Sequence, residues 1–312
     1  MATPSERKGK RYPIITALAI LAGFGIFLGG AGALWMKFIS PHSFALMEER
    51  FGVIPVEGII SDSQEIVSEL VRLRKDDGIK AVILRINSPG GAVGPAQEIC
   101  AEIKKVAGSK PVVASLGTVA ASGGYYIAAP ARMIVANPGT ITGSIGVLMQ
   151  FVRVEDLLNK VGIQLEVLKA GEYKDMGSPH RRLTESEKQM IQDLMADVRM
   201  QFVEEVARGR NLSVEKVNGI ADGRIFSGAK AKELGLVDRL GTLEDAVELA
   251  KELAGVKGEI SLVYPKKPRL RLSDFIGTKL LRTIYRLIIT ESHPKISYLW
   301  MGLPGISLSE SY

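Results

Sequence analysis

Cysteine is nearly absent from this chain. Cys100 stands alone, so no intrachain disulfide can form. It falls on an apolar stretch at helical spacing, where a buried packing thiol is the ordinary role. Histidine is scarce too, with only His42, His180 and His293. No Cys/His cluster has metal-ligand spacing, so neither a metal nor any other cofactor is expected. Aromatic residues make up 6% of the chain, and no basic face is interleaved with them. With a formal net charge of only +6, that excludes a nucleic-acid-binding class. No internal repeat is evident.

What is present is a globular balance, 46% hydrophobic and 24% charged over 312 residues, enough for one large core. The N-terminus carries an address. Arg7, Lys8, Lys10 and Arg11 form a basic cluster in residues 1–13, and residues 14–36 then hold no charged side chain. That run is long enough to cross a bilayer, with the positive flank in the cytoplasm and the rest of the chain outside it. Ala31-Gly32-Ala33 would also suit cleavage of a signal peptide, but the apolar run before it is long for one, so a retained anchor is the expectation. Residues 37–51 read as a linker and 52–265 as the folded domain. Residues 266–312 form a C-terminal extension with a basic, amphipathic run over 275–289 and a loose tail after Pro294.

Within the domain, apolar runs alternate with helical periodicity. Gly52–Gly58 reads as a strand whose Pro55 argues for an edge position. Residues 65–75 show helical spacing. Lys80–Asn87 is nearly continuous in apolar residues, as buried parallel strands are, and runs into Ser88-Pro89-Gly90-Gly91 before a helix opened by Pro95. Residues 111–116 form a second such strand. It leads to Ala121-Ser122-Gly123-Gly124, with a short helix over 125–129. Further strands are expected over 132–136, 164–168 and 258–264. Thr184 with Glu187, and Thr242 with Asp245, have the spacing of capping boxes opening helices, the first of which should end at Gly209.

The two strand–glycine–helix units suggest chemistry. A serine at a strand-to-helix turn, with glycines beside it, can be presented to a ligand while neighbouring amides point at a developing oxyanion. Ser122 is thus a candidate nucleophile. Gly123, with Gly90 or Gly91, is a candidate source of oxyanion donors. A turn rich in glycine and hydroxyls, Gly139–Gly146, contains Ser144. Lys174 lies in a glycine-bounded loop, where a lysine is normally a solvated charge. To act as a base it would need burial or cationic neighbours, and Asp175 beside it would oppose that.

Five motifs in order carry a resemblance: Asn87-Ser88-Pro89-Gly90-Gly91, Ala121–Tyr126, Thr142–Val147, Gly171–Asp175 and Ala221–Arg224. Over residues 52–255 the chain resembles the signal peptide peptidase A family, the Ser–Lys membrane peptidases, in its short single-domain form. The resemblance implies an α/β fold of the Clp-protease/crotonase type, built of stacked βα units. It implies Ser122 as nucleophile, Lys174 as general base and Ser144 as a hydrogen-bonding partner of the lysine. It also implies hydrophobic peptide substrates, chiefly cleaved signal peptides, and a homo-oligomeric ring or dome in which the Ser–Lys pair can be shared between copies. A Ser–His–Asp arrangement through His180 is conceivable, but the family uses lysine. The competing readings are a non-catalytic peptide-binding scaffold of the same fold and acyl-CoA chemistry of crotonase type. Export to a compartment without coenzyme A argues against the latter.

Overall fold

The computed structural model describes residues 21–31, 49–265 and 296–301. Residues 21–31 form a helix, α1, whose side chains are exposed throughout, and they belong to a unit separate from the one that begins at Glu49. Among the described residues no helix is long and apolar enough to cross a membrane. Most of the expected anchor at 14–36, the basic cluster before it and the amphipathic run at 275–289 lie outside the described residues.

The second unit is built on parallel strands. β1 (Glu49–Glu57), β2 (Ile79–Ser88), β4 (Val112–Ala121) and β5 (Met133–Ala136) lie side by side in that order, with β10 (Ile260–Val263) beyond β1 and β9 (Arg239–Leu240) beyond β5. The continuous apolar run of β2 is explained by burial on both faces. Val82, Leu84 and Ile86 pack toward one layer, Ala81 and Ile83 toward the other. On the first face lie α2 (Gln64–Lys75) through Leu70 and Leu73, and α3 (Val93–Ala107) through Ile99 and Ile103. The same layer holds α4 (Gly123–Ala128) and α6 (Glu185–Arg210). The second face is closed by α9 (Leu243–Ala254) through Ala246, Val247 and Ala250. Each β–helix–β connection returns the chain to the same sheet edge, so the strand C-termini share one rim.

Local signals place most elements. The side chain of Thr184 accepts the amide of Glu187, whose carboxylate returns to the Thr184 amide, and Thr242 and Asp245 repeat the device. α3 begins at Val93, two residues before Pro95, which the first turn tolerates because its missing N–H has no helical partner there.

Several expectations are corrected. β4 runs on to Ala121, five residues past the expected end at 116, so Ser122 follows the strand directly. β1 is not an edge strand along its first half, where Glu49–Gly52 pairs with Ile260–Val263. Pro55 lies beyond that pairing, where no neighbour requires its amide. α6 runs past Gly209 to Arg210 and is capped by Asn211, which adopts the left-handed conformation with φ 50°. Gly209 serves packing instead: a Cβ there would lie 2.3 Å from the Ala129 carbonyl oxygen. Residues 164–168 form no strand, because an extended segment becomes one only when a neighbour pairs with it, and none does among the described residues. The tail after Pro294 is not loose throughout. Ile296–Leu299 forms a strand, β11, running between β3 (Gly90–Ala92) and β7 (Leu148–Met149) and antiparallel to both.

Candidate active site

Three parallel strands end together. Ser88 at the end of β2 stands opposite Ala120 of β4, and Ala120 and Ala121 stand opposite Thr142 and Gly143 of β6 (Ile141–Gly143). Two buried hydroxyls pin these ends. Thr142 Oγ1 donates to the Ala120 carbonyl at 2.6 Å, and Thr140 Oγ1 to the Gly117 carbonyl at 2.7 Å. Ser122, Ser144 and the Pro89–Gly91 turn therefore emerge next to one another at the rim.

Ser122 has φ 53° and ψ −118°, a conformation that a residue with a side chain rarely adopts. Strain of this kind costs about 1–3 kcal/mol and persists only where the surroundings hold it. Here the Ser122 amide donates to the Gly143 carbonyl at 2.8 Å, and the Ser122 carbonyl accepts the Tyr126 amide at 2.8 Å. Its hydroxyl does not cap the helix that follows. Ser144 repeats the pattern, with φ 50° and its amide donating to Arg224 at 2.8 Å. Both serines line one cleft of about 700 Å³, with Gly146, Leu148, Asn218 and Asp222.

The glycines are required by crowding. Gly90 has φ 102°, and a Cβ on it would lie 2.1 Å from the Tyr298 carbonyl oxygen and 2.6 Å from the Gly123 nitrogen. A Cβ on Gly91 would meet the Ile60 carbonyl at 2.0 Å. One on Gly123 would lie 3.1 Å from both the Gly91 nitrogen and the Tyr298 oxygen. So Gly90, Gly91 and Gly123 converge beside Ser122. The Gly90 amide is already engaged, donating to Ser88 Oγ at 3.1 Å, while Ser88 Oγ donates to the Gly58 carbonyl at 2.6 Å. Of the two glycines the sequence left open, Gly91 is the one whose amide Ser88 does not hold. Gly91 is the register partner of Tyr298.

Ser122 is only 1% exposed, because β11 and the residues after it lie over the cleft. The Trp300 amide donates to the Pro89 carbonyl at 2.9 Å, extending the pairing of β11 past Gly90. The Tyr298 ring is buried against Phe202 and Tyr126, with centroids 4.6 and 5.1 Å away, and its hydroxyl donates to the Val198 carbonyl at 2.9 Å. Tyr126 meets Phe202 edge to face at 5.0 Å. No local pattern in the sequence marked Tyr298 or Phe202 as part of this site, and Ser88, though inside a recognised motif, was given no role. The aromatic residues sit on three separate elements, and only Tyr126 belonged to a recognised motif.

Lys174 stands elsewhere. It lies exposed in a turn where its amide donates to the Gly171 carbonyl at 3.3 Å, and it is not among the residues that line the Ser122 cleft. Asp175 does not turn toward it. The Asp175 carboxylate is held by Arg181 at 2.7 Å and Lys169 at 2.6 Å, and these hydrogen bonds keep it below the usual carboxylate range. Arg181 reaches on to Glu187, tying this loop to the first turn of α6. His180 bonds Ser178 at 2.8 Å and does not line the cleft either. Cys100 is buried in the core, and burial pushes its thiol up to about 12.

A strained serine on a strand-to-helix turn, faced by converging glycine backbones at the rim of a parallel α/β sheet, defines a hydrolase-type site. Residues 104–257 match the model of peptidase family S49, and residues 25–139 match that of Clp protease. A Synechocystis sp. protein named "Putative protease slr0021" is 45% identical over 248 residues, 78% of this chain and 90% of that one. "Putative signal peptide peptidase SppA" of Enterococcus faecium is 34% identical over 241 residues, 73% of this chain and 70% of its own length. The match to "Serine protease SPPA, chloroplastic" of Arabidopsis thaliana is 33% over 229 residues, 72% of this chain but only 34% of that longer protein. The chain belongs to peptidase family S49, with a Clp-protease-like domain.

Proposed function

We propose that this protein is a membrane-anchored serine endopeptidase that degrades hydrophobic peptides, chiefly cleaved signal peptides, with Ser122 as nucleophile and Lys174 as general base. The observation that carries the reading is the backbone of Ser122, held at φ 53° directly beside Gly91 and Gly123. Ser122 Oγ attacks the scissile carbonyl, and the neutral Lys174 amine takes the hydroxyl proton and passes one to the leaving amine. The amides of Gly91 and Gly123 stabilise the oxyanion, a contribution of about 2.7–4 kcal/mol per donor. Ser144 orients the lysine. The names of the relatives, a protease and a signal peptide peptidase, support the substrate class.

Because Lys174 does not line the cleft of its own chain, the base comes from a neighbouring copy in a homo-oligomer. The segment that carries it supports this. Val161, Ile163, Leu165, Val167 and Leu168 are all exposed, Leu168 at 91%, an apolar edge that a second copy would cover. Residues 14–36 anchor the chain, with residues 1–13 cytoplasmic and the domain on the far side.

The test is complementation. Ser122→Ala and Lys174→Ala proteins, each inactive on a fluorogenic hydrophobic peptide, regain activity when mixed and reassembled. A fluorophosphonate labels Ser122 in the wild type and not in Lys174→Ala alone. Absence of both labelling and cleavage in the wild type would end the peptidase reading, and labelling without complementation would return the lysine to the same chain.

A further inference from the structure

Arg199 and the Ala221–Arg224 motif meet at the Ser122 cleft. Arg199 follows the buried Val198 on α6 and is itself half-buried. Its Nη1 donates to the Ala221 carbonyl and its Nη2 to Asn218 Oδ1, both at 2.9 Å. The same turn is bound to the serine side of the cleft. The Gly223 amide donates to the Ile145 carbonyl at 3.1 Å, and the Arg224 carbonyl accepts the Ser144 amide at 2.8 Å. The guanidinium is therefore held in place relative to Ser144 and Ser122, with which it lines one cavity. Among the described residues, the charged side chains lining that cavity are Arg199 and Asp222. Asp222 is neutralised by Arg224, whose Nε donates to its carboxylate at 2.8 Å. Arg199 has no carboxylate of its own among the described residues. Both its bonds go to neutral oxygens, which leaves most of the N–H groups of the guanidinium open. A guanidinium in that state matches a carboxylate, which can accept from its fork at both oxygens. The wall nearby includes apolar Val147 and Leu148.

We propose that Arg199 binds the terminal carboxylate of the peptide being cut, so that the enzyme shortens its substrates from their carboxyl-terminal ends. This rests on the peptidase reading of the Ser122 site. The bond cleaved is an internal one on the amino side of the bound end. Its hydrolysis consumes one water, leaving a new carboxylate on the longer piece and a new amine on the short piece that Arg199 held. The new carboxylate has the chemistry of the one just released, so the longer piece is again a substrate. Peptide-bond hydrolysis elsewhere is then the class of reaction that supplies the first substrate. A hydrophobic segment still joined to the chain that follows it lacks the required end and is spared.

Full-length wild type, Arg199→Gln and Arg199→Lys test this on one hydrophobic fluorogenic peptide made in three forms: a free carboxylic acid, a carboxamide, and a carboxamide with aspartate as its last residue. In the wild type kcat/KM for the free acid is expected to exceed that for the amide by about tenfold, the order of a hydrogen bond to a charged group. That ratio falls to about one in Arg199→Gln and keeps an intermediate value in Arg199→Lys. Merely bracing the Ala221 turn would lower both rates together and leave the ratio where it was. Mass spectrometry of the wild-type reaction finds the free acid shortened from its carboxyl end in successive steps. An acid-to-amide ratio near one in the wild type, or an unchanged ratio in Arg199→Gln, would overturn the inference. So would cleavage of the aspartyl amide as fast as the free acid, since the anion need not then be a chain end. In each of these cases fluorophosphonate labelling of Ser122 leaves the peptidase reading standing. Failure of the wild type to label or to cleave any of the three peptides would remove that reading and this one with it.

Discussion

The hydroxyl of Ser88 accepts the amide of Gly90 at 3.1 Å and so fixes the turn that carries Gly91 to Ser122. The same oxygen donates to Gly58 at 2.6 Å, and Ser88 is fully buried. Ser88→Ala leaves a buried donor and acceptor without this partner, at a cost of about 1–3 kcal/mol. The expected outcome is a lower denaturation midpoint together with a fall in kcat larger than any change in KM, because on the proposed mechanism the turn positions an oxyanion donor and does not grip the substrate. Denaturant unfolding and peptide kinetics on the same preparation check both.

Gly209 lies inside α6, where alanine would ordinarily add about 1 kcal/mol of helix stability. The Ala129 carbonyl at 2.3 Å from the added Cβ reverses the sign. Overpacking of this kind costs about 1–3 kcal/mol, since the obstacle is backbone and cannot rotate away. Gly209→Ala is expected to melt at lower temperature than wild type, measured by calorimetry.

Acid should loosen the join between the Lys174 loop and α6. Hydrogen bonds from Arg181 and the Thr184 backbone lower Glu187 from 4.5 to about 2. A carboxylate depressed in the folded state contributes stability that is fully present above its unfolded value and lost as pH falls through its folded one. The loss therefore runs from about pH 4.5 down to about 2, with Asp175 contributing in the same direction. Melting temperature recorded across that window falls in the wild type, and its slope is reduced in Glu187→Gln.

If a second copy covers the apolar edge at 161–168, a charge placed there should separate the copies. Leu165 and Leu168 are 57% and 91% exposed in the single chain, so Leu165→Asp with Leu168→Asp costs the fold little. Sedimentation of the double variant is expected to show smaller species than wild type. On the proposed mechanism peptidase activity falls in parallel, because each Ser122 would lose a lysine supplied by its neighbour.

Much of the site was legible in the sequence. The strand–glycine–helix units at 80–91 and 111–124 announce themselves through continuous apolar runs ending in glycine, and the sheet then brings Ser122, Gly90, Gly91, Gly123 and Ser144 to one rim. Parallel strands leave no freedom in this, since each βα unit delivers its loop to the same edge. The strand expected at 164–168 does not form, because the apolar pattern of a segment does not say whether a partner is present to pair with.

The amino-acid order by itself determined the apolar runs of the βα units, the capped helices and the glycine-flanked serine turn, all of which are set by residues close to one another in the chain. Only the tertiary structure decided that Ile296–Leu299 joins Gly90–Ala92, that Tyr298 fills a pocket made by Tyr126 and Phe202, and that Lys174 stands outside the cleft of its own chain. Those outcomes hang on pairing and packing between segments some two hundred residues apart or on different elements, and such contacts leave no trace in the local hydrophobic period from which a sequence is read.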